Sequence, residues 1–376
     1  MKYFIIAGEA SGDLHASHLM RELKNGDPDA SFTFFGGDLM AQQGGTLLKH
    51  YREMAFMGLF PVIFNLHKIK RNFTLAEQKL IEFNPDVLIL VDYPGFNLRM
   101  AEFAKANGIK VFYYISPKIW AWKTKRVHKV KKFVDEMFTI FPFESQFYGK
   151  YDYKVRFVGN PTIDELATRP NQNETFKQFI LKNKLEDKPL IALLAGSRRQ
   201  EIKRILPVLA IVSKRFTQYQ FVIAGAPSHA QLLYDQVLGD AKIPVVFGQT
   251  YELLQQSTAA LVASGTATLE TAYLNIPQVV CYRIEAGRLG TWVKDQLIKI
   301  PYISLVNLIA GREIVKELFQ QYCTPDTVSE ELNKILSDNL YRERMLSGYQ
   351  EVLADLGGPG CAHRAAGLMI ELLNRK

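Results

Sequence analysis

Cysteine is scarce in this chain of 376 residues. Cys281, Cys323 and Cys361 are odd in number and widely spaced, and they form no C-x-x-C motif or cysteine–histidine cluster. This pattern excludes a disulfide framework and a zinc site of the usual spacing, and it is typical of a protein of the reducing cytoplasm. No other motif requires a metal or an organic cofactor, and we expect neither.

Long hydrophobic runs are also absent. No stretch approaches the roughly 18 apolar residues of a membrane span. The longest candidate, residues 55–66, is interrupted by Gly58, Pro61 and Asn65. The apolar run at the N-terminus is too short for the core of a secretory signal. We therefore expect a chain that does not cross a membrane.

Charged residues are few relative to apolar ones. The chain is 48% hydrophobic and 22% charged, which excludes a disordered protein. At about 150 residues per domain, its length favours two domains. The 46 basic and 38 acidic side chains give a net charge of +8. This excess favours an anionic partner, which could be nucleic acid, a phosphorylated ligand or an acidic membrane surface.

Short apolar runs alternate with helical patterns along most of the chain. Runs without polar interruption are typical of strands buried in a parallel sheet. The pattern restarts near residue 188, and only helical patterns follow residue 326. We predict an α/β protein with two Rossmann-like domains facing across a cleft, at residues 1–165 and 166–345. The C-terminal helices, residues 346–376, either cross back to the N-terminal domain or pack on a partner chain.

Carboxylates follow two predicted strands of the first domain. Glu9 and Asp13 lie in the small-residue loop GEASGD after the strand at residues 3–7, and Asp92 ends the strand at 87–91. Open α/β sheets bind ligands at the carboxyl ends of their strands, where a carboxylate can act as a general base. For Asp13 and Asp92 the alternative is a turn or helix cap. The loop matches neither the dinucleotide fingerprint nor a P-loop.

Small and polar residues follow strands of the second domain. A glycine, a hydroxyl and a guanidinium at a helix start suit a pyrophosphate, and a carboxylate one turn into a helix suits two sugar hydroxyls. The alternatives are that the arginines are surface residues, that the helix start is close-packed, and that Asn307 bonds to the backbone. The candidate residues are Gly196, Ser197, Arg198, Ser264, Gly265, Thr266, Glu270 and Asn307.

Two segments mix apolar or aromatic with basic residues. Residues 55–73 have the character of an interfacial segment, with a buried helix face as the alternative. The candidate lipid contacts there are Phe56, Met57, Phe60, Phe64, Lys68, Lys70 and Arg71. Residues 118–132 carry seven basic side chains with Trp120 and Trp122 between them. Such a strip suits an anionic lipid surface or the stacking of nucleic-acid bases.

Six sets of motifs, in order, resemble the lipid-A-disaccharide synthase family. They are GEASGD at 8–13; ISP, WAWK and RV within 115–127; FPFE and FY within 141–148; GSR at 196–198; SGTATLE at 264–270; and NLIAGRE at 307–313. The resemblance runs from residue 4 to about residue 320. It implies a GT-B glycosyltransferase that joins UDP-2,3-diacylglucosamine to 2,3-diacylglucosamine 1-phosphate. The implied product has a β-1,6 bond formed with inversion, and UDP is released.

The resemblance also implies roles for individual residues. Asp92 is the expected base, with Glu9 and Asp13 as further catalytic candidates. The UDP side is expected to include Arg198, Glu270, Asn307, Gly311 and Arg312.

Because both implied substrates carry acyl chains, we expect peripheral attachment to the anionic cytoplasmic face of the inner membrane in a Gram-negative bacterium. We expect no nucleic-acid partner, and a homo-oligomer is compatible with the sequence. Two alternatives stay open. One is another UDP-sugar enzyme of GT-B type, either a different glycosyltransferase or a UDP-N-acetylglucosamine epimerase. The other is a nucleic-acid-binding protein that uses residues 118–132.

Overall fold

A computed structural model describes residues 1–54, 66–121, 124–283 and 301–375. The chain divides into two compact units. The first unit comprises Met1–Asp164 together with Leu356–Lys376, and the second comprises Glu165–Asp355.

The first unit is built on a parallel seven-stranded sheet in the order β3-β2-β1-β4-β5-β6-β7. Its strands are β1 (Lys2–Ala7), β2 (Ser31–Gly36), β3 (Thr46–His50), β4 (Val87–Val91), β5 (Lys110–Tyr114), β6 (Glu136–Thr139) and β7 (Arg156–Phe157). Its helices are α1 (Ala10–Gly26), α2 (Asp38–Gln42), α3 (Leu66–Phe83), α4 (Pro94–Ala106), α5 (Val127–Phe133) and α6 (Pro142–Gly149). The next helix, α7 (Pro161–Ala167), carries the chain into the second unit.

Helices cover both faces of this sheet. Phe4 and Ile6 of β1 belong to one apolar cluster, whereas the alternate residues Tyr3 and Ile5 belong to the cluster on the opposite face. Side chains alternate between faces along a strand, so an unbroken apolar run is needed to fill both clusters. The continuous hydrophobicity of the sequence thus has its physical cause in two-sided burial.

The second unit repeats this construction with a parallel six-stranded sheet in the order β10-β9-β8-β11-β12-β13. Its strands are β8 (Leu190–Leu194), β9 (Gln220–Gly225), β10 (Val245–Phe247), β11 (Ser257–Ala263), β12 (Gln278–Tyr282) and β13 (Glu317–Phe319). Its helices are α8 (Phe176–Asn183), α9 (Arg199–Ser213), α10 (Gln231–Leu238), α11 (Thr250–Gln255), α12 (Thr266–Tyr273), α13 (Leu305–Ala310), α14 (Pro325–Ser337) and α15 (Asn339–Asp355).

The last helix, α16 (Cys361–Asn374), packs against α1 in the first unit. The carboxylate of Asp164 accepts hydrogen bonds from the backbone N–H of Gly360 at 2.6 Å and of Ala362 at 3.4 Å. These contacts satisfy N–H groups that the start of a helix leaves without partners. Arg364 also donates to the carbonyl of Val158 at 2.9 Å, which ties α16 to the end of β7.

The prediction of two Rossmann-like domains with a helical C-terminus is confirmed. The sequence pattern missed two of the four edge strands, β3 and β13. Across the residues that the structure describes, no helix is both long and apolar enough to span a bilayer.

Candidate functional site

In each sheet the chain first adds strands on one side of the first strand and then on its other side. In the first unit the chain runs outward from β1 to β2 and β3, and then places β4 on the other side of β1. Ala7 and Val91, the last residues of β1 and β4, are paired in register. The loops that follow them therefore leave the sheet side by side, and ligands of open α/β sheets bind at this kind of position.

Asp92 begins a strained turn after β4. Asp92 and Tyr93 have φ values of 43° and 47°, a left-handed conformation that costs a non-glycine residue about 1–3 kcal/mol. The turn is held by its neighbours, because the carbonyl of Asp92 accepts hydrogen bonds from Asn97 Nδ2 at 2.8 Å and Tyr113 Oη at 2.5 Å. These contacts fix the backbone from which the Asp92 carboxylate projects.

The first loop packs against this turn. A side chain at Gly8 would come within 2.3 Å of the Tyr93 ring, so only glycine fits there. Burial raises the pKa of the Asp92 carboxyl, while the charge of Lys118 and a hydrogen bond from the Tyr93 backbone oppose the increase. Burial and the negative charge of Glu9 raise the pKa of Tyr93. Glu9 thus lies close to Tyr93, the residue that follows Asp92, and a less acidic carboxyl at Asp92 is a stronger proton acceptor.

Asp13 has structural contacts. Its buried carboxylate accepts hydrogen bonds from the backbone N–H of Gly37 at 2.7 Å, Leu39 at 3.2 Å and Met40 at 3.1 Å. Asp13 belongs to α1, but its carboxylate thereby caps the start of the neighbouring helix α2. These contacts support the structural alternative for Asp13, and a catalytic role stays a prediction.

In the second unit the corresponding position lies between β8 and β11, where Leu194 pairs with Val262. Gly196 has a φ of 101°, and a side chain there would meet Glu201 Oε2 at 2.4 Å. Arg198 immediately precedes α9, and its side chain is 76% exposed, with Glu201 at 3.4 Å. The carbonyl of Ser197 lies 3.1 Å from His229 Nε2. Glycine, helix start and exposed guanidinium together suit an anionic ligand.

The loop after β11 leaves the sheet beside this one. Ser264 Oγ donates to the carbonyl of Ile303 at 2.8 Å. Gly265 has a φ of 147°, and with Thr266 at the start of α12 it is exposed. One turn later, burial and the charge of Glu165 raise the pKa of Glu270 to about 7. A carboxyl so placed accepts hydrogen bonds from hydroxyl groups most strongly when it is ionised.

Asn307 is fully buried, and its amide is occupied by the protein. Its Nδ2 donates to the carbonyl of Val315 at 2.8 Å and to Glu317 Oε1 at 2.9 Å. Its Oδ1 accepts from the backbone N–H of Ile314 at 2.7 Å and of Val315 at 3.0 Å. The amide thus holds α13 to the segment that leads into β13. These contacts support the backbone alternative, and direct contact with UDP stays a prediction.

The remaining sequence candidates that the structure describes lie at the surface. Gly311 ends α13 with a φ of 67°, and Arg312 forms an ion pair with Glu351 at 2.6 Å. Lys68, Lys70 and Arg71 are exposed on the first turns of α3. The other proposed lipid contacts, Phe56, Met57, Phe60 and Phe64, lie outside the described residues. Within the described ranges, no group of three histidine, cysteine, aspartate or glutamate side chains is placed to hold a metal ion.

Several residues at these edges were not named as site residues in the sequence analysis, although Glu144 lies in the FPFE motif and Lys118 in the basic strip. Lys118 and His229 follow β5 and β9, which neighbour the strands that carry the candidates. In the first unit, Glu144 is buried and accepts hydrogen bonds from the backbone N–H of Ile140 and Phe141 at 3.1 and 3.0 Å and from Trp120 Nε1 at 3.2 Å. Its burial raises its pKa to about 7. The signal for Glu144 is proline at the first helical position and glutamate at the third, directly after an apolar strand.

A family model described as lipid-A-disaccharide synthetase matches residues 3–364. The lipid-A-disaccharide synthase of Myxococcus xanthus is 39% identical, and the match covers 99% of this chain and 97% of that protein. Among solved structures, a UDP-GlcNAc 2-epimerase from Neisseria meningitidis has a TM-score of 0.66 at 15% identity, with 100% of both chains covered. A calicheamicin glycosyltransferase has a TM-score of 0.58 at 16% identity, with 100% of this chain and 98% of that one covered. These two likenesses concern the fold alone, and they agree with the predicted GT-B type.

Proposed function

The chain belongs to the lipid-A-disaccharide synthase family of hexosyltransferases, and we propose on this premise that it joins UDP-2,3-diacylglucosamine to 2,3-diacylglucosamine 1-phosphate. The products are a β-1,6-linked disaccharide 1-phosphate and UDP. The observation that carries the chemistry is the partly buried carboxyl of Asp92 at the carboxyl edge of the first sheet, where burial raises its pKa and Glu9 is close enough to raise the pKa of the adjacent Tyr93.

The proposed reaction is a single displacement. The 6-hydroxyl oxygen of the acceptor attacks the anomeric carbon of the donor, and the bond from that carbon to the UDP oxygen breaks. The acceptor proton passes to the carboxylate of Asp92. Because attack and departure occur on opposite faces, the anomeric configuration inverts.

Donor recognition is assigned to the second unit. Arg198 and the backbone N–H groups at the start of α9 bind the diphosphate and stabilise the charge that develops on UDP. Glu270 accepts the ribose hydroxyls. The exposed guanidinium of Arg198 and the glycine conformation at Gly196 support this assignment.

Product analysis tests the proposal. Purified enzyme is incubated with both substrates, and products are identified by mass spectrometry and their linkage by NMR. We expect one UDP per disaccharide 1-phosphate, and a β-1,6 linkage. Isomerisation of a UDP-sugar without acceptor would instead support the epimerase alternative. The epimerase likeness at 15% identity concerns the fold only.

The same proposal places the enzyme at the cytoplasmic face of the inner membrane. Exposed Lys68, Lys70 and Arg71 on α3, and exposed Lys129 and Lys131 on α5, support attraction to anionic lipid. We expect sedimentation with phosphatidylglycerol vesicles at low salt and its loss at high salt. The variants Phe60→Ser/Phe64→Ser and Lys129→Glu/Lys131→Glu should sediment less. Equal sedimentation of all variants at every salt concentration would contradict the membrane assignment.

A further inference from the structure

A basic pocket of about 350 Å³ lies in the first unit. The residues that line it are Lys49, Arg52, Glu53, Lys68, Arg71 and Asn72. Lys68 and Arg71 belong to the segment that the sequence assigned to lipid contact, whereas Lys49 and Arg52 come from β3 and the turn after it. Two distant parts of the chain therefore bring their cations into one concave site.

Both walls of this pocket are attached to the elements around Asp92. The turn that carries Arg52 ends at Met54, whose carbonyl accepts a hydrogen bond from Tyr93 Oη at 2.9 Å. Lys68 and Arg71 belong to α3, which packs against α4. The ring of Phe73 in α3 stacks on the ring of Phe96 in α4, with the centroids 4.2 Å apart. Lys49 lies near the carboxyl end of β3, which runs parallel to β4, so the pocket lies on the side of the sheet where the candidate base lies.

The charge of the pocket is strongly positive, with four cationic side chains and one carboxylate. Lys49 lies 3.9 Å from Glu53, and Arg52 lies 3.8 Å from Asp38. These long, partly exposed ion pairs contribute little, so the cations keep most of their attraction for another anion. The Lys49 side chain is only 21% exposed, and Asn72, which also lines the pocket, is 3% exposed. A partly enclosed cationic site of this size accommodates a phosphate and part of a sugar ring.

We infer that this pocket binds a phosphomonoester, namely the 1-phosphate of the acceptor sugar. The identity of the acceptor rests on the proposed function. Arginine offers paired N–H donors that match phosphate oxygens, and the pocket is lined by two arginines from separate parts of the chain, Arg52 and Arg71. Binding the phosphate on this side of the sheet orients the acceptor while its hydroxyl meets the base.

Glucosamine 1-phosphate, which has no acyl chains, is the probe. Its dissociation constant is measured by calorimetry for the wild type, for Arg52→Ala/Arg71→Ala and for Lys70→Ala. Lys70 is an exposed cation on the same helix and is not among the described residues that line the pocket, so this variant controls for the loss of a nearby surface cation. We expect roughly tenfold or greater weakening in the double variant and less than about twofold in Lys70→Ala. Glucosamine without phosphate should bind far more weakly to the wild type.

A kinetic arm separates this inference from the proposed function. With the full substrates, the double variant should raise the KM for the acceptor and leave the KM for the donor unchanged. Calorimetry needs no donor, so a wild type that binds the sugar phosphate but forms no disaccharide would contradict the proposed function alone. Unchanged affinity of the folded double variant would overturn the pocket assignment. The double variant could instead bind the sugar phosphate normally but no longer sediment with phosphatidylglycerol vesicles. That result would assign Arg52 and Arg71 to lipid headgroups and would also overturn the pocket assignment.

Discussion

The two units have the same kind of sheet but place different chemistry at its reversal point. The first unit places carboxylates there, at Glu9 and Asp92, and holds Asp92 in a strained left-handed turn. The second unit places glycines at 196 and 265, and an exposed arginine at 198. Glycine adopts positive φ without strain and lets a ligand approach the backbone, whereas a strained aspartate needs support from its surroundings. One edge therefore suits proton transfer, and the other suits anion binding.

The largest effect on activity should come from removing the basicity of Asp92, which tests the assignment of proton transfer to the first unit. We expect Asp92→Asn to reduce kcat about 100- to 10,000-fold, because the amide keeps the shape of the side chain but cannot accept the proton. The affinity for UDP should not change, since UDP recognition is assigned to the second unit. Turnover is measured by UDP release and affinity by calorimetry.

Asp86→Asn is the matched control for this variant. Asp86 precedes β4 at the opposite edge, where its carboxylate accepts a hydrogen bond from the Lys2 backbone N–H at 2.7 Å. It should turn over at a normal rate. Near-normal turnover of a folded Asp92→Asn, together with loss of activity in Glu9→Gln, would move the base to Glu9.

Most strands of both sheets could be predicted from the sequence, whereas the edge strands β3 and β13 could not. β1 and β8 are continuous apolar runs because both of their faces are covered. β3 carries Thr46, Lys49 and His50 on a half-exposed edge, and β13 has three residues, so neither produces an apolar run. A strand paired on one side only does not need one.

The site shows the same division. The positions of Asp92 and Arg198 after strands were predictable, because Asp92 directly follows an apolar run and Arg198 follows one after a short loop of small residues. The residues that support them come from other strands and helices: Tyr113 lies 21 positions from Asp92, and His229 lies 32 positions from Ser197. Their proximity results from the order of strands in the sheet, which the linear pattern does not contain. The buried hydrogen bonds of Asn307 likewise depend on Glu317 in a strand that was not predicted.

Removing Arg198 tests the second edge. A charge-assisted contact to a diphosphate contributes about 1.5–3 kcal/mol, so we expect Arg198→Ala to weaken UDP binding about ten- to 150-fold. Arg199→Ala is the matched control: this exposed arginine is the first residue of α9, and we expect little change. Calorimetry with UDP distinguishes the two. Equal losses in both variants would indicate a general charge effect and contradict the assignment to Arg198.

Glu270 should make the free energy of unfolding of the second unit depend on pH. Its folded pKa of about 7 lies above the value of about 4.3 expected in the unfolded chain, so the folded protein binds more protons between these values. The associated stability is present below about pH 4 and is lost as the pH rises through about 7. Glutamine cannot ionise, so we expect Glu270→Gln to gain roughly 1–3 kcal/mol relative to the wild type between pH 5 and 8.

Urea unfolding at pH 5, 6.5 and 8 measures this gain. Glu343→Gln, at an exposed glutamate of α15 in the same unit, is the control and should show a constant difference from the wild type. A constant difference for Glu270→Gln as well would mean that this carboxyl is ionised in the folded protein throughout the range.

The smallest expected effect concerns the support of residues 195–198, the loop between β8 and α9 to which diphosphate binding is assigned. In the first unit two side chains hold the Asp92 carbonyl, whereas in the second His229 Nε2 lies 3.1 Å from the Ser197 carbonyl. With Nε2 as donor, this hydrogen bond contributes about 1 kcal/mol. We expect His229→Ala to weaken UDP binding about fivefold and to leave kcat at saturating donor unchanged. His229→Gln, which keeps an N–H donor, should recover most of the affinity, and Ser228→Ala at the exposed neighbour should have no effect. A fall in kcat without a change in donor KM would show that His229 acts on the chemical step and not on the loop.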